Sequence, residues 1–144
     1  MARWKQEAQF VLEIQKAETE NMLQNDDDDH SKQKSLDAFV NKWGFSNFDI
    51  PDLDRAIAMF ILPRLSYFIT KADSIPNALL KTDEDRNILN EAEAFQEWTR
   101  ILHTICDGLH LYLTKDHTQF TAEELALWHR AKQYLSAYFE HLWY

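Results

Sequence analysis

The sequence predicts an all-α protein, a single-domain helical bundle of three long helices plus one or two shorter ones. Apolar residues recur at intervals of three and four through most of the chain, and no window shows the strict alternation of a half-buried strand. Only two of the 144 residues are glycine, which argues against tight two-residue hairpins. The length fits one domain, and 45% apolar residues are enough to build a core without metal or disulfides.

The first predicted helix lies within residues 1–24 and is expected to be peripheral, because its apolar stripe is narrow. The four consecutive aspartates at 26–29 repel one another and favour local backbone hydrogen bonds over a helix. Residues 25–34 are therefore predicted to form an acidic linker, and residues 35–144 the helical core.

A short second helix is predicted over residues 35–43. Its apolar residues share one face, which is unusually aromatic: Leu36, Phe39, Val40 and Trp43. Gly44 follows immediately and supplies the left-handed residue that commonly ends a helix.

The third helix is predicted to begin around Pro51, since proline suits the first helical turn, and to run to about Lys71. It is apolar almost all round from Ala56 to Leu62, which predicts that it is the central, most buried element. Pro63 lies inside it and predicts a kink, because proline removes one backbone hydrogen bond and its ring clashes with the preceding turn.

The fourth helix is predicted to start at Thr82 or Asp83 and to run to about Leu113. Its core register has the spacing of a packing seam: Ile88, Phe95, Trp98, Leu102, Ile105, Leu109 and Tyr112, with Glu91 as the one polar member. The last helix starts at the capping box formed by Thr121 and Glu124 and is expected to reach the C-terminus. Its predicted core residues are Leu125, Trp128, Leu135, Phe139 and Leu142.

The two glycines exclude several function classes. Phosphate-binding loops, the dinucleotide fingerprint and the strained nucleophile turn need glycines at close fixed offsets, whereas Gly44 and Gly108 lie far apart. Gly108 falls inside the fourth helix, where glycine costs up to about 1 kcal/mol relative to alanine. A close helix approach, or a ligand against bare backbone, is the expected reason.

Charge and cysteine content limit the expected binding partners and the expected cellular compartment. The net charge is −9, which makes direct binding to nucleic acid unlikely, because that needs a basic face. The single Cys106 cannot form an intramolecular disulfide, and the first 30 residues lack a basic-then-apolar signal run. The most apolar stretch is too short and too charged to span a bilayer. A cytoplasmic protein that needs no cofactor is expected.

His103, Cys106, Asp107 and His110 share one stripe of the fourth helix, and all four are competent zinc ligands. One straight helix brings at most two or three ligands to a tetrahedral ion, so a further ligand would have to come from elsewhere. The favoured interpretation is that Cys106 points into the core while His103, Asp107 and His110 line a partly exposed face. Those three remain weak metal candidates, and a metal-dependent enzyme is the third functional hypothesis.

Several sequence landmarks together resemble a group of small proteins encoded in bacteriophage genomes and of unknown function. The most specific are Ile61-Leu-Pro-Arg-Leu65 and the C-terminal Phe139-x-x-Leu-Trp143, and the resemblance covers about residues 43–143. Glu97-Trp98-x-x-Ile-Leu, between these two pieces, belongs to the same order of landmarks. The resemblance implies phage or prophage origin and a helical fold, and it brings no activity to transfer.

The leading hypothesis is a non-enzymatic, phage-encoded interaction protein that acts in the bacterial host cell. It would inhibit a defence or nucleic-acid-handling system by binding a host protein with a basic surface. The expected binding residues are acidic or aromatic: Asp26, Asp27, Asp28, Asp29, Asp83, Glu84, Asp85, Tyr138, Trp143 and Tyr144. Whether the helix seams close within one chain or between the chains of a homo-oligomer stays open at this point.

The alternative hypothesis is a module that sequesters a nucleotide signal between its helices. Aromatic side chains would stack the base, and Arg64, Arg100 or Arg130 would hold the phosphate. Arg64 is the best feature for it, because it lies in the most apolar stretch and needs a partner if it is buried.

Overall fold

A computed structural model describes residues 1–23, 29–46, 49–80 and 90–143 of the chain. These residues form five α-helices and short 3₁₀ turns: α1 Arg3–Leu23, α2 Asp29–Trp43, α3 Leu53–Ile69, α4 Glu91–Thr114 and α5 Ala122–Tyr138. No strand occurs within the described ranges, so the predicted all-helical class is confirmed. The helices contain 21, 15, 17, 24 and 17 residues, so the division into three long and one or two shorter helices holds only roughly.

The chain forms two compact units, Met1–Pro63 and Arg64–Tyr144, and each is described by itself. The first contains α1, α2 and most of α3, and the second contains the end of α3 with α4 and α5. The single domain over residues 1–144 stays a prediction. None of the described helices is long and apolar enough to cross a membrane.

Helix α2 begins at Asp29, earlier than the predicted start at Ser35, so the second half of the 25–34 segment is helical. Lysine and glutamine at positions 32–34 are good helix formers, and an aspartate suits the positive end of the helix dipole. The helix ends as predicted. Gly44 has a φ of +79°, and its N–H donates to the carbonyl oxygen of Val40 at 2.7 Å.

Helix α3 is not the most buried element, and that prediction is wrong. Ala58, Met59 and Leu62 are buried, but Ile57 and Phe60 expose 49% and 60% of their surface. An apolar helix is buried all round only where other elements cover all its faces, and the periodicity of α3 does not reveal which of its faces are covered. Pro63 lies inside α3, as predicted.

Helix α4 instead supplies more buried side chains than any other described helix. It begins at Glu91, and Asn90 caps it: the Asn90 side chain accepts from the N–H of Glu93 at 2.8 Å, while the Glu93 carboxylate accepts from the N–H of Asn90 at 3.1 Å. The predicted start of this helix at Thr82 or Asp83 is wrong, because Asn90 is extended, with a ψ of 165°. Thr82 and Asp83 themselves lie outside the described residues.

The predicted seam of α4 is confirmed at four positions and is wider than expected. Its buried residues include the predicted Trp98, Leu102, Ile105 and Leu109, and also Ala94, Ile101, Cys106, Gly108 and Leu113. Phe95 is exposed, contrary to prediction, and Tyr112 is half-buried. Ile88 lies outside the described residues. The broad apolar face explains why α4 can serve as the centre of the second unit.

Helices α4 and α5 pack together closely around Gly108. A Cβ atom built on Gly108 would lie closer than 3.0 Å to the Cβ of Ala131, the one fully buried residue described on α5. The same Cβ would lie 3.6 Å from the Trp128 ring. The close helix approach expected from the sequence is therefore confirmed, and it explains why the α4 interior carries a glycine.

The capping box of α5 is confirmed. The Thr121 side chain accepts from the N–H of Glu124 at 3.2 Å, and the Glu124 carboxylate accepts from the N–H of Thr121 at 3.3 Å. Helix α5 ends at Tyr138, and a 3₁₀ turn follows over Phe139–His141. The helix therefore does not reach residue 144, contrary to prediction. Leu125 and Phe139 are exposed, contrary to the predicted core register, because α5 is covered mainly along the Ala131 side.

Candidate interaction surfaces

The C-terminal aromatic residues of the second unit form one candidate surface, named here the aromatic end: Tyr138, Phe139 and Trp143. Phe139 and Trp143 expose 66% and 63% of their surface, and Tyr138 is half-buried, with its ring centroid 5.3 Å from that of Trp98. Ser74 holds the chain end in place by donating its hydroxyl to the Trp143 carbonyl oxygen at 3.3 Å. Of the aromatic residues expected to bind a partner, Trp143 is exposed and Tyr138 is half-buried. Tyr144 lies outside the described residues.

Arg100 joins α4 to α5 beside the aromatic end. Its Nε donates to Glu97 Oε2 at 2.8 Å, and its Nη2 donates to Glu97 Oε1. Nη2 also donates to the hydroxyl of Tyr134 at 3.1 Å, and the guanidinium carbon lies 5.8 Å from the centre of that ring. The Tyr134 ring is tilted against Tyr138 at 6.3 Å. The planar guanidinium of Arg100 thus links the Glu97 carboxylate to Tyr134 on α5, whose ring contacts Tyr138.

These contacts shift three pKa values. The hydrogen bond from Arg100 lowers the pKa of Glu97, and the reciprocal bond to Glu97, followed by that to Tyr134, raises the pKa of Arg100. Burial raises the pKa of the Tyr138 hydroxyl, and the neighbouring Tyr134 adds to the effect. At neutral pH the Arg100 guanidinium is therefore charged and already bound to a carboxylate of the same chain.

The three arginines of the nucleotide hypothesis lie on three different helices. Arg64 is exposed on α3, so the need for a buried partner does not arise. Arg130 is exposed on α5. Arg100 is bound to Glu97, and a phosphate would have to compete with that bidentate ion pair.

The histidine stripe of α4 does not form a cluster suited to a metal. His103 and His110 are half-buried, Asp107 is exposed and Cys106 is fully buried, where Ser66 Oγ donates to its sulfur at 3.5 Å. The predicted inward orientation of Cys106 is confirmed. In the part of the chain that the structure describes, no three His, Cys, Asp or Glu side chains are arranged to hold a metal ion.

The acidic tracts predicted to bind a partner fall almost wholly outside the described residues. This holds for Asp26, Asp27, Asp28, Asp83, Glu84 and Asp85. Asp29 begins α2, but its side chain also lies outside the described part. Their role in partner binding stays a prediction from charge alone.

The structure contains a cleft that the sequence analysis missed, named here the acidic cleft. It lies in the first unit among α1, α2 and the start of α3, and its volume is about 630 Å³. Its lining includes four carboxylates and one cation: Glu18, Asp37, Asp49, Asp52 and Arg55. Its apolar lining consists of Leu36, Val40, Phe45, Ala56 and Met59.

Four of the five charges in the acidic cleft have a defined setting. Arg55 Nη2 lies 3.3 Å from Glu18 Oε1, which joins α3 to α1. Asp37 accepts from the neutral amide of Gln33 at 3.0 Å, and Asp49 accepts from the backbone N–H of Ser46 at 3.1 Å. The four carboxylates and one guanidinium give the lining a formal charge of −3. No spacing rule could have revealed this cleft, because its residues come from three helices and the segment between them.

Comparison with known proteins adds no relative. A scan against models of protein families finds no match, and searches of curated proteins and of solved structures also return none.

Proposed function

We propose that this chain is a non-enzymatic, phage-encoded interaction protein that acts in the bacterial host cell by binding a protein with a basic surface. Its target would be a component of a host defence or nucleic-acid-handling system, which the chain inhibits. The observation that carries the proposal is the aromatic end, where Phe139 and Trp143 are about two-thirds exposed on a chain of net charge −9.

Exposed aromatic side chains are costly to leave in water and are frequent anchors of protein interfaces. Phe139 and Trp143 each offer a large apolar surface, and the Ser74 hydrogen bond fixes the backbone at Trp143. Such pre-ordering lowers the entropy lost on binding. These properties favour the aromatic end as a binding anchor.

The acidic charge supports the choice of partner. Proteins that handle nucleic acids carry basic surfaces for the phosphate backbone, and an acidic protein is attracted to those same surfaces. A bound acidic chain would compete with nucleic acid for the site. The resemblance to small phage-encoded proteins is consistent with such a role in a host cell.

The nucleotide hypothesis receives less support. Of the three arginines that it offers as alternatives for the phosphate, Arg100 is engaged by Glu97. The one cleft described in the first unit has an acidic lining, which repels a phosphate.

The experiment is affinity capture from bacterial host lysate at near-physiological salt, followed by mass spectrometry. The wild-type chain is compared with the double variant Phe139→Ser/Trp143→Ser and with Leu125→Ser, which changes an exposed apolar residue elsewhere on α5. We expect wild type and Leu125→Ser to retain the same stoichiometric partner and the double variant to lose it. Recovery of no stoichiometric partner, or equal recovery by all three proteins, would overturn the proposal.

Inhibition is tested on the captured partner once it is purified. An equimolar amount of the chain should block that protein's binding to nucleic acid, and the double variant should not. Unchanged nucleic-acid binding in the presence of the wild-type chain would contradict the inhibitory role.

A further inference from the structure

The apolar side chains that line the acidic cleft, named here its floor, are only partly covered by the first unit. Leu36 and Ala56 are half-buried, Val40 and Phe45 are exposed, and Met59 is buried. A partner that filled the cleft would cover these side chains.

The charged side chains that line the acidic cleft, named here its rim, are mostly carboxylates. Among the described residues, no cationic side chain lies within ion-pair distance of Asp37, Asp49 or Asp52. The one cation in the lining, Arg55, pairs with Glu18 from the neighbouring helix. That pair is internal to the chain, so the three aspartates are the carboxylates that a partner's cations would meet.

We infer that the acidic cleft is the docking site for a basic amphipathic segment of the partner protein, with its apolar side chains on the floor and its lysines or arginines against the rim. The inference rests on the proposed function, because it names the part of a basic partner that this chain recognises. Charge complementarity selects this occupant. A second copy of the chain would bring a further net charge of −9 to an already acidic rim.

The size of the cleft fits such an anchor. A volume of about 630 Å³ falls within the range of roughly 300–1,000 Å³ that is typical of sites that bury a ligand. An amphipathic helix that binds a groove inserts a few apolar side chains spaced by three and four residues, and its polar face contacts the rim. The floor and rim together therefore offer the apolar and acidic contacts that such a segment needs.

The test uses a defined probe, a synthetic amphipathic peptide of leucine and lysine in a helical pattern, labelled for fluorescence anisotropy. A peptide with glutamate in place of lysine controls for apolar binding alone. We expect the lysine peptide to bind the wild-type chain, to bind more weakly as salt is raised, and the glutamate peptide not to bind.

Two charge-reversal variants locate the binding. Asp37→Lys/Asp52→Lys changes the rim, and Glu13→Lys/Asp73→Lys makes the same change in net charge at exposed positions outside the cleft. We expect the rim variant to raise the Kd of the lysine peptide at least tenfold and the control variant to change it less than threefold. Circular dichroism and the urea midpoint establish that both variants are folded.

Floor variant Phe45→Ser should also weaken binding of the lysine peptide, which separates docking in the cleft from general attraction to an acidic protein. Equal loss in rim and control variants, or no effect of Phe45→Ser, would overturn the inference. The inference would also be overturned if the glutamate peptide bound as tightly as the lysine peptide. A dimer of the wild-type chain that is lost in Phe45→Ser would overturn it too, because a second copy of the chain would then occupy the cleft.

The two proposals fail in different ways. If the aromatic-end variants lose a lysate partner while the rim and floor variants retain it, the proposed function stands and docking in the acidic cleft is refuted. If the wild-type chain captures no stoichiometric partner, the proposed function itself fails.

Discussion

Replacing Gly108 by alanine should destabilise the protein, although alanine is the better helix former. The added Cβ would lie closer than 3.0 Å to the Cβ of Ala131 and 3.7 Å from its Cα. Two carbon atoms pack favourably at about 3.5–4.0 Å. The clash therefore involves the backbone-bound carbon of α5 and not the flexible end of a side chain, and α4 and α5 must separate to relieve it.

The magnitude follows from two opposed terms. Overpacking in a well-packed core costs typically about 1–3 kcal/mol, and the gain in helix propensity from glycine to alanine is up to about 1 kcal/mol. Because the added Cβ meets a backbone-bound carbon that cannot move alone, we take the upper part of the overpacking range, and we expect a net loss of about 1–2 kcal/mol in the free energy of unfolding for Gly108→Ala. Urea denaturation followed by tryptophan fluorescence and circular dichroism measures it.

A double-mutant cycle isolates the clash. Ala131→Gly removes the methyl group that Gly108→Ala meets, so the double variant should be more stable than the sum of the two single effects predicts, with a coupling of about 1–2 kcal/mol. Ala126→Gly, at an exposed position of α5, is the control. It measures the loss of helix propensity on replacing alanine by glycine where no packing contact is removed. Gly108→Ala being as stable as wild type, or strict additivity in the cycle, would refute the packing argument.

Three further predictions concern caps and titrating groups. Thr121→Ala should cost about 1 kcal/mol in urea denaturation, because it removes the side-chain acceptor of the α5 capping box; equal stability would contradict that assignment. The pKa of Glu97 is lower in the folded protein than in the unfolded chain, so ionised Glu97 stabilises the fold. This stabilisation is complete above the pKa of about 4.3 in the unfolded chain and is lost as the pH falls through the lower pKa of the folded state. Stability of Glu97→Gln should therefore fall less steeply than that of wild type below about pH 4.3, and parallel curves would count against the Arg100 interaction. The raised pKa of Tyr138 predicts that its stabilising effect is complete below about pH 10 and is lost as pH rises through the higher pKa of the folded state. An absorbance titration at alkaline pH should contain a late phase that Tyr138→Phe removes, and an unchanged titration would argue against burial.

The sequence predicts the helical class and its local signals well, because these depend on neighbouring residues. The capping box at Thr121, the stop at Gly44 and the close approach at Gly108 each follow from the chemistry of a few adjacent positions. The start of α4 is misplaced because Thr82, Asp83 and Asn90 all belong to the residue types that cap helices, and only the reciprocal bond with Glu93 shows that Asn90 is the cap.

Burial is predicted less well, because it depends on which helix covers each face. Phe95, Phe139 and Leu125 have the spacing of core residues yet are exposed, and α3 exposes part of a stretch that is apolar almost all round. The acidic cleft is further out of reach of sequence reasoning, since it joins residues that lie far apart along the chain. Only the general acidity of the chain hints at it.

The central claim, that this acidic chain binds a basic protein through its aromatic end, is tested most directly by the affinity of the purified partner for wild type and for Phe139→Ser/Trp143→Ser. The dissociation constant is measured by titration calorimetry at several salt concentrations. We predict a stoichiometric complex with wild type that weakens steadily as salt rises, and at least tenfold weaker binding by the double variant. Binding that is independent of salt and identical in the two proteins would contradict the account.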